Sequence, residues 1–290
     1  MSIAENLDNK IKEFWPKNGP ATQEIEKYVK KYSKEKIVIK CGGRILLDPD
    51  LFNNFINDVT ILQKLGLTPI IVHGGGPRIK NKLYKLNIET KFIMGLRVTD
   101  EKVIKIVEDV MLEFNKEIVN ALEKKACKAK SVTIKVNNVI YVEQKNKELG
   151  YVGKPTKIDD QLIKNLVKES FIPVITPMGL DEKKQPYNIN ADTAAGAIAR
   201  SIKSRRLMLL TDIDGVLDNN DKLISEINTI EAKELINTET IHGGMIPKVK
   251  TCIDAINNGV RAVVILDGRK PHSILFELFS DKGSGTLIRK

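Results

Sequence analysis

The stretch Lys36-Ile37-Val38-Ile39-Lys40-Cys41-Gly42-Gly43 decides the fold of this chain. Its β-branched centre is typical of a buried strand, and the strand runs directly into a glycine turn. The same order recurs in Thr68-Pro69-Ile70-Ile71-Val72, a continuously apolar strand that ends in His73-Gly74-Gly75-Gly76-Pro77. Helical periodicity follows each turn, first over residues 51–65 and then after Pro77. Strand, glycine turn and helix in this repeated order predict a parallel α/β sheet.

The rest of the chain keeps this pattern apart from one segment. Further strands are predicted at 171–177, 206–211 and 262–266, and helices at 102–125, 191–203 and, as the last helix, 249–258. Between Ser131 and Lys157, short alternating runs broken by Asn137-Asn138 and 145–147 predict antiparallel hairpins instead. Because neither a repeat nor a low-complexity linker divides the chain, we expect one continuous sheet. The predicted fold class is a three-layer α/β/α sandwich around a mostly parallel open sheet.

Composition bounds the class of protein. The 290 residues are 42% hydrophobic and 29% charged, which excludes disordered and fibrous classes. No apolar run approaches the roughly 18 to 20 residues of a membrane span, and the N-terminus lacks the order of a signal peptide, so we expect a cytoplasmic protein. Three widely spaced cysteines, Cys41, Cys127 and Cys252, are interpreted as reduced thiols. The net charge of +10 is spread along the chain, which favours an anionic small-molecule substrate over a nucleic-acid partner.

The glycine turns are candidate anion sites. They lie where ligands bind in open parallel sheets, and glycine lets backbone N–H groups approach phosphate or carboxylate oxygens. Taken singly, each turn could equally be a tight connection without a ligand. Two common phosphate loops are excluded: the nearest approach to a P-loop is Gly150 to Lys154, and no Gly-x-Gly-x-x-Gly follows a strand.

Six motifs in a fixed order resemble the amino-acid kinase family and, within it, the enzymes that phosphorylate N-acetylglutamate for arginine biosynthesis. The motifs are 40–43, His73-Gly74-Gly75-Gly76, Leu96-Arg97-Val98-Thr99, 188–195, 211–217 and Gly243-Gly244-Met245-Ile246-Pro247-Lys248. The resemblance covers residues 36–290. It implies ATP as phosphoryl donor, Mg²⁺ held mainly by the nucleotide phosphates and water with no protein ligand to the metal, an acyl-substrate lobe at 36–195 and a nucleotide lobe at 196–290.

The resemblance also implies roles for single residues. Lys40 and Lys248 would lie on opposite sides of the transferred phosphoryl group, with Asp192 between them, and Arg97 would clamp the substrate α-carboxylate. Asn188 is the first choice for a second substrate contact and Asn190 the alternative, because alternating side chains could point either one into the site. The amides of Gly43, Gly75 and Gly76 would hold phosphoryl and substrate oxygens. The nucleotide would lie near Thr211, Asp212, Ile213, Gly215, Gly244 and Met245.

A regulatory layer is suggested by both ends of the chain. Residues 1–35, with helical spacing over Ala21 to Tyr32, form a predicted N-terminal extension, and the segment 272–286 ends the nucleotide lobe. Both resemble arginine-sensitive members of the family, which are hexamers built as trimers of dimers. By this resemblance the inhibitor arginine would bind near Tyr28, His272, Glu277, Gly283 and Gly285. The alternative is a plain terminal helix and strand, and binding of a PII-type signalling protein stays open.

Several alternatives remain at this point. Glutamate 5-kinase, carbamate kinase and aspartokinase activities are rivals within the family, and a catalytically silent amino-acid sensor or a basic nucleic-acid binder are rivals outside it. His73 is interpreted as orienting its own glycine loop, because an ionised carboxylate has no proton for a base to remove. Asp212 and Asp214 could suggest a metal pair, but turn-forming and ribose-side roles are favoured. The helix at 102–125 is expected to be core or subunit interface.

Overall fold

The computed structural model describes Ile11 and residues 13–290, so the first ten residues of the predicted extension and residue 12 lie outside the described residues. The strands are β1 (Ile37–Cys41), β2 (Ile70–His73), β3 (Phe92–Ile93), β4 (Leu96–Arg97), β5 (Ala129–Val132), β6 (Ile140–Gln144), β7 (Gly153–Ile158), β8 (Ile172–Ile175), β9 (Met178–Leu180), β10 (Pro186–Asn188), β11 (Arg206–Thr211), β12 (Glu226–Asn228), β13 (Ala262–Asp267) and β14 (Gly285–Arg289). The α-helices are α1 (Ile25–Tyr32), α2 (Pro49–Lys64), α3 (Gly76–Lys85), α4 (Glu101–Glu123), α5 (Asp160–Lys168), α6 (Ala191–Ser201), α7 (Thr229–Asn237), α8 (Met245–Asn257) and α9 (Ser273–Phe279).

One eight-stranded sheet organises the molecule, in the order β12-β14-β13-β11-β1-β2-β8-β5. Every neighbouring pair in it is parallel except β13 with β14. Strand β1 lies in the middle, paired with β2 on one side and β11 on the other. The sheet therefore runs without interruption through strands of both predicted lobes, as the absence of a linker predicted. Its carboxyl edge carries the loops that follow β1, β2, β8 and β11.

Alternating side chains of the central strands enter two separate cores. Ile37 and Ile39 of β1 pack in the core formed with α1, α2, α4 and α9, whereas Val38 packs in the core formed with α5, α6 and α8. All five residues of β1 are buried, as a parallel strand covered on both faces requires. Helices on both faces make the predicted three-layer α/β/α sandwich, and this prediction is confirmed.

The predicted hairpins are correct in part. β6 and β7 form an antiparallel pair in the predicted segment. They share a four-stranded sheet with β9 and β10, an antiparallel pair that was not predicted. Ser131 and Val132, however, belong to β5, which pairs in parallel with β8 at the edge of the main sheet. The prediction for these residues was wrong, because a four-residue edge strand carries too little periodicity to distinguish parallel from antiparallel pairing.

The helices of the second half also required correction. The helix predicted at 249–258 begins at Met245 and is not the last, because α9 follows it. Helix α7 was not predicted, although Asn228 and Glu231 form a capping box at its start. Helix α9 has seven residues, six of them buried, so it shows no amphipathic pattern. Short or uniformly buried helices lack the polar face by which periodicity is recognised.

The two ends of the described chain meet. Helix α1 packs against α9, and the ring of Phe279 lies edge-on to Trp15 and Tyr28, with centroids 5.7 and 6.5 Å away. His272, just before α9, hydrogen-bonds the carboxylate of Asp58 on α2 at 2.6 Å. None of the helices within the described residues combines the length and apolarity that a membrane span needs.

Candidate active site

Three charged side chains meet above the carboxyl end of β1. Lys40 is the fourth residue of that strand, Asp192 lies in the first turn of α6, and Lys248 lies in the first turns of α8. The Nζ atom of Lys40 is 3.0 Å from Oδ1 of Asp192, and the Nζ atom of Lys248 donates to Oδ2 at 2.5 Å. Residues that are 152 and 56 positions from Asp192 in the chain are thus joined through one carboxylate.

The electrostatics of this cluster keep Asp192 ionised. Burial acts to raise the pKa of the Asp192 carboxyl, but the two ammonium groups outweigh it and hold the pKa well below its ordinary value. Position in the first turn of a helix favours the same anionic form. The carboxylate therefore orients both lysines at neutral pH, and two positive charges surround one negative charge.

Lys40 opens onto a cavity of about 220 Å³ in which glycines provide the wall. At Gly43, which has φ +67°, and at Gly76, an added Cβ would meet nothing within 4 Å, so a side chain there would extend into open space. At Gly42 an added Cβ would come within 2.6 Å of the Lys40 ammonium nitrogen. Gly75 is different, because its Cβ would collide with Met111 at 2.6 Å. The glycines thus keep the wall open, leave room for the lysine and admit a core methionine.

Arg97 lines the same cavity as Lys40. Its guanidinium donates to Oγ1 of Thr90 at 2.8 Å and to the Gly76 carbonyl at 3.3 Å, and it stacks on the Phe92 ring at 4.8 Å from the centroid. The side chain is 8% exposed. A guanidinium held on two sides keeps its planar fork in a defined orientation, as recognition of a carboxylate requires.

Asn188 and Asn190 both line the same cavity. Asn188 ends β10, and Asn190 caps α6 by accepting a hydrogen bond from the Thr193 amide at 3.0 Å. The side-chain oxygen of Asn190 is therefore engaged in the cap, and its amide nitrogen is the group left to face the cavity.

A second cavity of about 500 Å³ continues past the lysine cluster. Asp192, Lys248 and Gly244 line it together with Asn190, which also borders the first cavity. Gly244 precedes α8 and Met245 begins it, and an added Cβ at Gly244 would meet nothing within 4 Å. Lys40 therefore borders the first cavity and Lys248 the second, and the two cavities adjoin at Asn190.

The residues predicted to bind nucleotide in the 211–215 segment follow β11 at the same edge of the sheet. Thr211 ends the strand, and Asp212 and Ile213 are exposed. Gly215 is buried, and at φ +151° an added Cβ would lie 2.5 Å from Oγ1 of Thr286. Packing therefore explains the glycine at position 215. The described residues contain no group of three or more His, Cys, Asp or Glu side chains that could hold a metal ion, so Asp212 and Asp214 form no such cluster.

The residues predicted to bind the inhibitor arginine do not all lie around one cavity. A cavity of about 550 Å³ between α1, α9 and the 281–285 turn is lined by Tyr28, Glu277, Gly283 and Gly285. His272 is not among its lining residues, because its ring turns to Asp58 instead. Glu277 is 7% exposed, accepts a hydrogen bond from the Ser284 amide at 3.2 Å, and lies 3.8 Å from Nε of Arg206.

Some residues around the candidate site were not predicted from the sequence. The β3–β4 hairpin borders both cavities: Phe92 lines the first, Ile93 and Met94 line the second, and Met94 is 94% exposed. An apolar run over residues 92–94 that ends in Gly95, two positions before Arg97, is the signal that could have indicated a hairpin over the site. Asn115, on α4, lies within hydrogen-bond distance of the His73 ring. The sequence signal that could have indicated it is a polar residue on the apolar stripe of the helix, four positions after Met111.

Comparison with known proteins places this geometry in a family. The amino acid kinase family matches residues 35–267. The chain belongs to the amino acid kinase family. It is similar to the acetylglutamate kinase of Pelagibacter ubique, with 59% identity over 95% of this chain and 96% of that protein. The acetylglutamate kinase of Bartonella henselae is 42% identical over 98% of this chain and 99% of that protein.

A solved structure carries the same fold. The N-acetylglutamate synthase of Neisseria gonorrhoeae, in complex with coenzyme A and N-acetyl-glutamate, superposes with a TM-score of 0.84 at 23% identity. The match covers 92% of this chain and 62% of that longer chain. At this identity the likeness concerns the fold alone. Family membership and the kinase relatives over nearly the whole length identify this chain as a kinase, an enzyme that transfers a phosphoryl group.

Proposed function

We propose that the protein transfers the γ-phosphoryl group of ATP to the side-chain carboxylate of N-acetyl-L-glutamate. The observation that carries this proposal is the Lys40–Asp192–Lys248 cluster at the border of two cavities, one walled by glycines and lined by Arg97. The relatives with 59% and 42% identity, which are acetylglutamate kinases, support the same acceptor. A carboxylate oxygen attacks the γ-phosphorus, the bond to the β-phosphate oxygen breaks, and ADP leaves with that electron pair.

The two lysines supply the positive charge that this step needs. The carboxylate and the nucleotide phosphates are all anionic, so alignment and charge neutralisation contribute most of the catalysis. Lys40 faces the first cavity and Lys248 the second, and in the proposal they meet the phosphoryl group from opposite sides. Asp192 holds both ammonium groups in place before substrate arrives.

The first cavity is assigned to the acyl substrate. Arg97 binds the α-carboxylate through its planar fork, and Asn188 is the second contact because its side chain is not used as a helix cap. The amides of Gly43, Gly75 and Gly76 would hold phosphoryl and substrate oxygens, since these glycines line the cavity and have no side chain of their own to shield the backbone.

The nucleotide is assigned to the second cavity and the edge after β11. Thr211, Asp212, Ile213, Gly244 and Met245 are the proposed contacts. Of these, Gly244 lines the second cavity, and the other four lie outside its lining. Gly215 supports the 211–215 loop by packing on Thr286. In this assignment Mg²⁺ is held by the nucleotide phosphates and water, a coordination that suits a cation reluctant to lose its water ligands. The ion would neutralise phosphate charge beside the lysines.

One assay tests the assignment of the acceptor. ADP release is measured with ATP, Mg²⁺ and, in parallel, N-acetylglutamate, glutamate, aspartate and carbamate. We expect the highest kcat/KM with N-acetylglutamate. A higher value with glutamate or carbamate would replace the substrate assignment within the family, and absence of turnover with all four together with tight binding of one would favour an amino-acid sensor.

We also propose that arginine inhibits this enzyme by binding in the cavity between α1 and α9. Glu277 would receive the guanidinium, and the backbone of the 283–285 turn would receive the α-groups. Glu226 and Asp281 line the same cavity and add negative charge, whereas Lys31, Arg206 and Lys282 oppose a cation. The hydrogen bond from Tyr28 to Asp281, at 2.5 Å, ties α1 to this wall.

A truncation separates inhibition from catalysis. Removing residues 1–30 takes away Tyr28 and most of α1, and it leaves both catalytic cavities untouched. We expect kcat to be retained, arginine inhibition to be lost, and a hexamer to become dimers by light scattering. A truncated enzyme that stays hexameric and fully inhibited by arginine would rule out this regulatory proposal and leave the kinase proposal standing.

A further inference from the structure

A chain of hydrogen bonds lies behind the glycine wall of the first cavity. His73, which ends β2, is fully buried, and Nδ1 of its ring lies 2.9 Å from the carbonyl oxygen of Gly74. On the other side of the ring, the side-chain nitrogen of Asn115 lies 3.3 Å from Nε2. The same nitrogen donates to the Val174 carbonyl at 2.8 Å.

These contacts determine the protonation of His73. Burial lowers the pKa of His73 to about 4, so the ring is neutral at pH 7 and carries one N–H. The Asn115 amide must present its nitrogen to Val174, because two oxygens would repel each other. Nε2 of His73 then accepts from Asn115, and Nδ1 carries the proton and donates to Gly74.

The orientation of one peptide group follows. In a trans peptide, the N–H points opposite to the carbonyl to which it is joined. With the Gly74 carbonyl directed at the buried ring, the N–H of Gly75 points away from it. Gly75 lines the cavity and His73 does not, which agrees with an N–H that is directed toward the cavity.

We propose that Asn115 is a positioning residue, which acts through the His73 tautomer to aim the Gly75 amide at the transferred phosphoryl group. The inference rests on the proposed phosphoryl transfer. The hydrogen bonds of its nitrogen to His73 and Val174 are what distinguish an asparagine from an apolar residue here: Asn115 is 1% exposed, lies on the apolar stripe of α4, and its side-chain oxygen accepts no hydrogen bond from any described residue. A buried unsatisfied oxygen costs stability, so a functional reason for the residue is expected.

Two measurements test the positioning role. The chain has three histidines, so long-range ¹H–¹⁵N spectra of the imidazoles can be assigned with one substitution each. We expect the Nδ1–H tautomer for His73 in the unaltered protein and a mixture of tautomers in Asn115→Leu. In the ADP-release assay with the best acceptor, kcat of Asn115→Leu should fall on the order of tenfold, because one transition-state donor is loosened but not removed.

The matched control is Ile118→Val, a buried apolar truncation on the same helix with no hydrogen bond to lose. We expect it to keep the native tautomer and near-native kcat, and KM for both substrates should change little in either variant. An Nε2–H tautomer in the unaltered protein would overturn the proposal even if the leucine variant fails to fold. Equal losses of kcat in the two variants, or an unchanged tautomer and kcat in Asn115→Leu, would overturn it as well. Because the spectra need no acceptor, a wrong substrate assignment leaves this result readable.

Discussion

Two cavities of this molecule each hold a carboxylate beside cationic side chains, but the two carboxylates are paired to different degrees. Asp192 has ammonium groups at 2.5 and 3.0 Å, and its pKa is lowered although burial acts to raise it. Glu277, in the cavity between α1 and α9, has Arg206 at 3.8 Å, and burial outweighs that attraction and raises its pKa.

The two carboxylates therefore differ in how far nearby cations compensate their charge. Each carboxylate oxygen of Asp192 has an ammonium group within 3.0 Å, and together these charges outweigh the effect of burial, so the lysines are in place before any ligand binds. Glu277 is incompletely compensated, and Nε of Arg206 lacks a hydrogen-bond partner among the described residues. A cationic ligand would supply the charge partner that Glu277 lacks, and this supports the proposal that arginine binds here.

The largest effect should come from removing a lysine of the Lys40–Asp192–Lys248 cluster. Lys40→Ala or Lys248→Ala should lower kcat on the order of 100-fold or more, because each ammonium group meets charge that is greatest in the transition state. KM for both substrates should change far less. Steady-state ADP release measures both constants.

Lys250→Ala is the control for Lys248→Ala, because this lysine lies on the same helix and is exposed. Its kcat should match the unaltered enzyme. Near-normal turnover of either alanine variant at Lys40 or Lys248 would remove that lysine from the mechanism.

The next effect should come from Arg97, the guanidinium that lines the first cavity. Arg97→Lys replaces a planar fork with a point charge and loses the stacking on Phe92, so KM for the acyl substrate should rise about tenfold, the change that 1.4 kcal/mol produces. KM for ATP should barely change. Equal increases of both KM values would place Arg97 outside the acyl-substrate contact.

A smaller effect should follow from neutralising Glu277, the carboxylate whose charge is incompletely compensated. Glu277→Gln should leave kcat near native and weaken arginine inhibition about tenfold, since a charge-assisted pair with the guanidinium is replaced by a neutral contact. An arginine titration of activity, repeated as a thermal shift, measures it. Glu123→Gln, an exposed change at the end of α4, should retain full sensitivity. Undiminished inhibition of Glu277→Gln would exclude this carboxylate as the arginine contact.

The smallest effect concerns stability against pH. Because the folded state raises the pKa of Glu277 above its ordinary value of 4.5, folding takes up protons and stability falls as pH rises from 4.5 through the raised pKa. Asp192 has a lowered pKa, so its contribution to the free energy of unfolding is fully present at any pH above its ordinary pKa of 3.8. That contribution is lost only as the pH falls from 3.8 through the lowered pKa. Across the range above 4.5, Glu277 is therefore the one of these two carboxylates that changes.

Thermal melting of the unaltered protein and Glu277→Gln between pH 4.5 and 7.5 tests this sign. The Tm of Glu277→Gln minus that of the unaltered protein should increase by roughly a few degrees as pH rises over this range. Parallel Tm curves would contradict the inference that Glu277 is left undercompensated.

Prediction from sequence worked best where a local pattern has one structural meaning. The strand at 206–211 was predicted with its exact bounds, because a long apolar run flanked by polar residues has few alternatives. Six motifs in order indicated the family, and four of the residues predicted for arginine line one cavity. Pairing partners were harder: the pattern at 131–132 does not record which strand lies beside it.

His272 shows the limit most clearly. It is adjacent in sequence to the helix that carries Glu277, but its φ of +59° and its hydrogen bond to Asp58 direct the ring away from the cavity. A backbone dihedral and a partner 214 residues away decide where this side chain lies, and neither can be predicted from the neighbouring residues.

By itself, the sequence determined the layered α/β fold, the glycine turns and the candidate charges, because strand and helix periodicity and the demands of glycine are local properties. Tertiary structure alone decided which charges meet. Asp192 joins Lys40 and Lys248 because α6 and α8 begin above the end of β1, and Glu277 stays undercompensated because Arg206 stops 3.8 Å away. Electrostatic interaction depends on separation and burial, and both arise only when distant segments of the chain pack together.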